Sequence, residues 1–578
     1  MVKNLSKIYF LLVIVCFYLL MCSFGGITFD DFSKQYDNIT NQVLAEENII
    51  YWTDDGIRGS EFAGGTGEET DPYLIETPEQ LAYLSYQVYN GNKYLNTYFE
   101  QIADLDFSGY YWQPIGIYYD RENIQKNKPF AGVYDGGNFT ISGIYTPAGS
   151  TKAYSYQGVF GLLDNYSEIK NVILKDSLIQ GYQYLGGITG GYEYGWSVYS
   201  KIENCISYAT VIGNDYVGGI VGCLGGYEDE GFTTTIKNCS NYGEIKSDNG
   251  DAGGIIGNAY RYIKVENCQN FGRVEGSTVG GVAGYFYYAS SILESANYGE
   301  VIGSYCAGGI CGVADYSFLT DCYNYANVTC SSGAGGIVGQ ETWSCILTNC
   351  YNLGNVSGKN SVGGVVGSAS FEIELNNSYN FGEINNSGNY TGGIIGYAGA
   401  DKIVIVNCFN LGNVKGTDYV GGLVSYVRSS NIMSEIKLDI SSSYVEGKVS
   451  GGNYVGGLIG SVNIDSYITD CGVNATIITS SNANSNGIVG QADTIEIANV
   501  YFIGQFLDVN DNPLLLNNFV STFNNCKIID SYIISNEGLQ NEFKTKEDTN
   551  GFVNWVTVPS INGGNPIQKS LYHIGNLD

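Results

Sequence analysis

The chain has 578 residues, 27 basic against 58 acidic, and a formal net charge of -31. Lys and Arg form no cluster anywhere along it, so neither a nucleic-acid backbone, whose counterions are displaced by grouped cations, nor an anionic membrane surface is an expected partner. Gly accounts for 79 residues and Pro for 8. Because Gly costs a helix about 1 kcal/mol per position relative to Ala, this excludes a mainly helical protein, while hydrophobic residues at 44% suffice for a true core.

In chain order, Lys3 and Lys7 precede an apolar run from Ile8 to Met21. The run is short for a membrane span and reads as a secretory signal peptide over residues 1–25, cleaved near Ser23–Gly26. An uncleaved anchor and lipidation at Cys22 stay open, although Met21 stands where a lipobox wants a small residue. No later stretch is apolar enough to span, and no C-terminal sorting motif is read. Residues 26–58 form an acidic linker. From 59 to 156 a capping region is expected: Thr77 as N-cap, Pro78 opening a helix, Gln80 completing a capping box, Gly91 ending it, and Leu81, Leu84 and Val88 as its apolar stripe.

From residue 157 to 497 one phrase recurs. It appears as GGITG (186–190), GGIVG (218–222), GGIIG (253–257), GGVAG (280–284), GGICG (308–312) and six later copies, spaced 27–30 residues apart in most cases and 32–35 in three. A second phrase precedes most copies: NCSNYGEI (238–245), NCQNFGRV (267–274), NCYNLGNV (349–356) and NCFNLGNV (407–414) share the template Asn/Asp-Cys-x-Asn-(aromatic or Leu)-Gly-x-(Val or Ile). About three short β-branched runs per repeat, punctuated by Gly, predict strands unable to bury a face alone. Stacking them about 4.8 Å apart pairs each with its counterpart above and below. The expected fold is all-β, a right-handed parallel β-helix of about twelve coils. It carries an N-terminal strand–helix cap and a C-terminal cap over residues 498–578, with GFVNWVTVPSINGGNPIQ (551–568) as its core. A β-propeller, the main rival, needs longer repeats of about 40–50 residues.

Stacking turns repeated positions into columns. Cys205, Cys239, Cys268, Cys322, Cys350, Cys408 and Cys471 form one, with Ser295, Ser378 and Ser443 substituting, as suits a small inward site. Asn241, Asn270, Asn297, Asn324, Asn352, Asn380 and Asn410 form another, whose amides are expected to bond to one another and to turn backbone. The 15 Cys are spread singly and lack paired zinc-site spacing. Buried reduced thiols are the favoured reading, with Cys306–Cys311 or Cys345–Cys350 as alternative disulfides.

The order of these phrases, with the lead-in DPYLIETPEQLAYL, DLDFSG, WQPIG (112–116), FAGVYDGGNFTISGIY (130–145) and GVFGLL (158–163), resembles the GLUG-motif family of bacterial surface proteins over about residues 59–568. The resemblance implies a secreted or cell-surface β-helix, often attached to adhesive or peptidase modules, and brings no catalytic residue with it. Zinc-peptidase chemistry, one class in which such repeats occur, needs two His one helical turn apart, and a Ser-His-Asp triad needs one; the only His is His573. β-Helix lyases and inverting glycosidases use clustered carboxylates. The candidates are Asp104 with Asp106, and Glu228, Asp229 and Glu230, and Asp104 and Asp106 read more readily as capping-strand residues.

One surface feature remains. After the Gly-Gly phrase, successive coils carry Tyr192, Tyr194 and Trp196, then Tyr227 and Phe232, Tyr260 and Tyr262, Phe286, Tyr287 and Tyr288, then Tyr316, Phe318, Trp343 and Phe371. Stacked on one face, they would make an aromatic stripe able to hold sugar rings or another protein; ordinary β packing is the alternative. The expectation is a non-enzymatic, monomeric extracellular scaffold. It needs no cofactor and no metal, and its partner is a glycan or a surface protein. A β-helix carbohydrate-active enzyme, or a separated module of a larger adhesin or peptidase, are the alternatives.

Overall fold

The structure, a computed structural model, describes residues 50–118, 126–192, 199–226, 234–428, 437–480, 484–514, 520–529, 532–533, 555–557 and 566–568. Two large sheets, of 27 and 33 strands, are built from parallel pairs only, each strand bonded to its counterpart one coil before and after. The fold is a parallel β-solenoid of about 14 turns, which at about 4.8 Å per turn makes a rod roughly 65 Å long.

A coil has four or five strands rather than three. In one coil these are Ile256–Tyr260, Ile263–Glu266, Gln269–Asn270 and Val274–Gly280. In the longer coil before it the fourth divides into Ile245–Ser247 and Asp251–Gly253. The extra strand, inside the second sequence phrase, spans two residues, too few to show any alternation of apolar and polar side chains.

The turns also begin earlier and end later than the motifs. Tyr73–Ile75 pairs with Tyr98–Gln101, which pairs with Val133–Asp135 and so with Glu168–Lys170. At the other end Val520–Ile529 lies on Val489–Ala498, and Tyr532–Ile533 on Tyr501–Phe502. The flanks expected as caps therefore carry rungs of their own, which is why the count rises from twelve. Stacking asks for backbone pairing and an apolar inward side chain, and both persist where Gly-Gly does not, as Ile75, Phe99 and Tyr134 show.

The helix Pro78–Tyr89 forms where expected. Gln80 Oε1 accepts the N–H groups of Thr77 at 3.2 Å and Glu76 at 2.7 Å, satisfying donors that a helix start leaves without partners. Leu81, Leu84 and Val88 are fully buried in the same continuous core that runs through the coils. Within the expected C-terminal cap, Trp555–Thr557 and Pro566–Gln568 pair antiparallel. No helix among the described residues is long and apolar enough to cross a membrane.

The two sequence phrases turn out to be one device. Each ladder Asn is fully buried. Asn297 Nδ2 donates to Gly299 O at 2.8 Å and to Asn324 Oδ1 at 2.9 Å, while its Oδ1 accepts from Asn270 Nδ2 at 2.8 Å and from the Gly299 N–H at 3.2 Å. Both amide hydrogens and both lone pairs are used, as a buried amide requires. Across the thin interior the second Gly of the Gly-Gly phrase faces this amide. A Cβ at Gly281 would sit 2.2 Å from Asn297 Cγ, and one at Gly254 2.2 Å from Asn270 Cγ. The ladder Asn and the phrase Gly therefore recur together because they occupy the same space.

The residue opening the second phrase is a corner in left-handed backbone conformation: Asn238, Asn267, Asn349, Asn377 and Asn407 have φ of 50 to 55°. Asn and Asp tolerate this better than other non-Gly residues. Their amides add an outer ladder, Asn267 to Asn238 at 2.8 Å and Asn238 to Asn204 at 3.0 Å. The Cys column is fully buried as read. Cys239 Sγ donates to Lys237 O at 3.3 Å, while Ser295 Oγ donates to Leu293 O at 2.8 Å, so Ser replaces Cys by repeating its hydrogen bond. All thirteen described cysteines are free thiols, including Cys306, Cys311, Cys345 and Cys350.

Candidate functional site

The corner that follows each Gly-Gly strand carries the aromatic stripe. Tyr262, Tyr288, Tyr316, Trp343 and Phe371 lie in five successive coils, with ring centroids 5.8, 5.5, 5.7 and 4.3 Å apart. The first two contacts are edge-to-face and the last two stacked. Beside them Tyr260 stacks on Tyr287 at 5.2 Å, and the Arg261 guanidinium lies 5.1 Å from the Tyr260 ring and 5.6 Å from that of Tyr288. Phe318, exposed, flanks the ridge from the next strand. The edge-to-face contacts among Tyr262, Tyr288 and Tyr316 leave ring faces open, whereas Trp343 is covered on both faces by Tyr316 and Phe371 and presents its edge. Tyr288, Tyr316 and Trp343 are 39, 39 and 43% exposed, so the ridge is a true surface.

Two expected members point elsewhere. Phe286 is fully buried, because it shares the inward column of Ala259 and Ala314; strand alternation sends it opposite to Tyr285 and Tyr287. Tyr192 is half-buried and packed on the core. Tyr194, Trp196, Tyr227, Phe232 and Glu228–Glu230 lie outside the described residues, as does His573.

The candidate catalytic pair is accounted for by the backbone. Asp104 Oδ1 accepts from Thr140 N–H at 2.7 Å and Oγ1 at 2.9 Å, and Asp106 Oδ1 accepts from Ser108 N–H at 2.9 Å and Oγ at 2.6 Å. These bonds hold both carboxyls below their usual range, so neither is poised as a general acid. Among the described residues no group of three or more His, Cys, Asp or Glu is placed to hold a metal.

Sequence reasoning missed a second aromatic column. Tyr208, Tyr242, Phe271, Tyr298 and Tyr325 stack at 4.8, 4.5, 4.8 and 4.7 Å with planes within 12°. All are exposed, yet each ring covers its neighbour's face, so the strip offers mainly edges. The signal was the aromatic-or-Leu position of the second phrase. Beyond its first member the Lys175 ammonium lies 5.9 Å over the Tyr208 ring, in an open depression of about 780 Å³.

Two acids, the buried Glu341 and the partly buried Asp251, were also missed, since nothing in their spacing marks them. Glu341 occupies the inward column between Ala314 and Ala369. Its Oε2 accepts the N–H of Ser370 at 2.9 Å and of Phe371 at 3.4 Å, so it ties down the corner that carries the last ridge aromatic. Burial, with Asp315 and Glu372 nearby, pushes its pKa up to about 8. Asp251, bonded to Asn258 Nδ2 at 2.9 Å, is raised by burial to about 7.

No family model matches the chain. A candidate Gly-rich membrane protein of Evansella cellulosilytica is 30% identical over 144 residues, covering 24% of this chain and 15% of that protein. Halomucin of Haloquadratum walsbyi is 26% identical over 168 residues, covering 28% of this chain and 2% of its own length. Among solved structures, a candidate immunoglobulin A1 protease from Bacteroides ovatus aligns over 88% of this chain and 95% of that one, at 16% identity and a TM-score of 0.22. The chain thus spans a small fraction of the curated relatives it matches, and what it shares with them is a local stretch of sequence.

Proposed function

We propose that this chain is a non-enzymatic repeat scaffold of GLUG type, secreted or displayed at a cell surface, which holds a glycan or a surface protein against its aromatic corner. The carrying observation is the ridge itself: five consecutive coils place Tyr262, Tyr288, Tyr316, Trp343 and Phe371 side by side, with Arg261 among them. Folding gains little from large rings left in water, whereas Trp, Tyr and Arg are the residues that dominate binding when a partner covers them. A stiff rod keeps such a row in register without ordering anything on contact, which lowers the cost of association. Local likeness to proteins named as a membrane protein and as halomucin supports an extracellular setting. The structural use of Asp104 and Asp106 supports a role without catalysis.

The test applies full-length protein to a glycan array and a panel of extracellular-matrix proteins, beside a Tyr316→Ala/Trp343→Ala variant. Loss of two anchor rings is expected to weaken binding by roughly thirtyfold or more. Undiminished binding by the variant overturns the ridge as the site, and release of product from any polysaccharide overturns the non-enzymatic reading.

A further inference from the structure

A second site lies away from the ridge, where the chain enters its first turns. A half-enclosed cavity of about 220 Å³ is walled by the part-exposed Tyr51 and Tyr154, above the buried rings of Trp112 and Tyr156, with Gln113, Gln157 and Ser155 as its polar lining. Among the described residues no acidic or basic side chain lines it, in a protein whose net charge is -31. Gln113 is oriented by Thr53, whose hydroxyl donates to its Oε1 at 2.8 Å, and Gln157 by its own bond to Ser155 O at 3.1 Å. The Trp112 indole is fixed by donation to Val159 O at 3.0 Å. The walls are thus held before any ligand arrives. The Ser155 hydroxyl, more than nine-tenths buried, has no hydrogen-bond partner among the described residues. Native structures rarely leave such a group unmade, because it forfeits its hydration without return.

We infer that this cavity takes one uncharged sugar residue, the terminal unit of a neutral saccharide. The rings of Tyr51 and Tyr154 suit the C–H faces of a pyranose, and two primary amides with a hydroxyl suit its vicinal hydroxyl groups. The Ser155 Oγ has no accessible surface as it stands, so it meets a ligand only after rotation about its side-chain bond. The absence of charge from the described lining argues against an acidic sugar, a phosphate or an ammonium ligand, each of which wants an opposite charge when desolvated. The volume lies below the roughly 300–1,000 Å³ of sites for drug-sized ligands, so it admits one ring rather than the middle of a chain. This deepens the surface-binding reading and rests on it only in taking the rod to be displayed outside a cell.

The experiment is saturation-transfer NMR and calorimetry on the full chain with glucose, galactose, N-acetylglucosamine and, as a cationic control, tetramethylammonium. Millimolar binding of at least one neutral sugar is expected. Ala153→Trp, which fills the cavity mouth, and Ser155→Ala each weaken it by roughly tenfold. Ser155→Ala leaves the thermal midpoint unchanged, because no internal hydrogen bond is lost, and so separates binding from folding. The site is overturned if no sugar binds, if tetramethylammonium binds in their place, or if sugar binding survives both cavity variants. Sugar binding that is abolished by Tyr316→Ala/Trp343→Ala and untouched by the cavity variants overturns this site while leaving the ridge standing.

Discussion

Replacing Asn297 by valine removes all four hydrogen bonds of its amide, to Asn270, Asn324 and both backbone groups of Gly299. Valine is the apt replacement, because Val445 and Val473 occupy the same column and face Gly422 and Gly457 as Asn297 faces Gly281. Shape is therefore conserved and polarity alone is lost. At about 1 kcal/mol net per bond, Asn297→Val costs roughly 4 kcal/mol. Asn410 ends the ladder below Val445, with one bond from Asn380 at 2.7 Å and one to Gly412 O at 2.9 Å. Asn410→Val should then cost roughly 2 kcal/mol by the same reasoning. Asn297→Asp keeps the outline but turns an anionic oxygen toward Asn324 Oδ1 or Gly299 O, so at neutral pH it should be worse than valine. Urea unfolding, with hydrogen exchange across the affected coils, reads both the total and its locality, since a solenoid's stability is approximately a sum over neighbouring turns. Equal costs at Asn297 and Asn410 would show that the amides act singly and that no continuous ladder stabilises the rod.

Further outcomes are expected. Folded Glu341 keeps its proton up to about pH 8, whereas the unfolded chain releases it near the ordinary 4.5. The unfolded state thus binds fewer protons between those values, and stability, fully present below about pH 4.5, falls as pH rises toward 8 by at most about 1.4 kcal/mol per unit. Asp251 adds in the same sense up to about 7. Glu341→Gln should flatten the denaturation-midpoint profile above pH 5 by about one proton, and an unchanged slope would remove Glu341 from the account. Gly281→Ala, with its Cβ 2.2 Å from Asn297 Cγ, should abolish soluble expression, whereas at Gly333 the nearest atom is 3.6 Å away and alanine should stay within about 0.5 kcal/mol of the parent. In the Cys column burial raises Cys239 and Cys322 well above the ordinary value, and every thiol of the column is fully buried. An aromatic disulfide reagent should therefore label half-buried Cys526 first and the column only on unfolding; prompt labelling of several thiols would contradict the stacking.

A period near 28 residues, a Gly-Gly phrase and a Cys–Asn phrase determined the solenoid, its inward Asn and Cys columns and the capped helix at Thr77, because each depends on a residue's own conformational limits or on repetition at one address. The Asn and Gly positions were visible separately, but that they fill one another's space across the interior emerged only once the coils were closed. The tertiary structure also decided which aromatics are surface. Phe286 and Tyr287 are adjacent in the chain and opposite in the fold, since pleating alternates direction residue by residue, and the phase of that alternation is set by where the corner falls. The buried Glu341 and the cavity beside Ser155 lie further still from the sequence. Each is made by residues that meet only across turns, and their chemistry comes from burial and contact, which no spacing along the chain records.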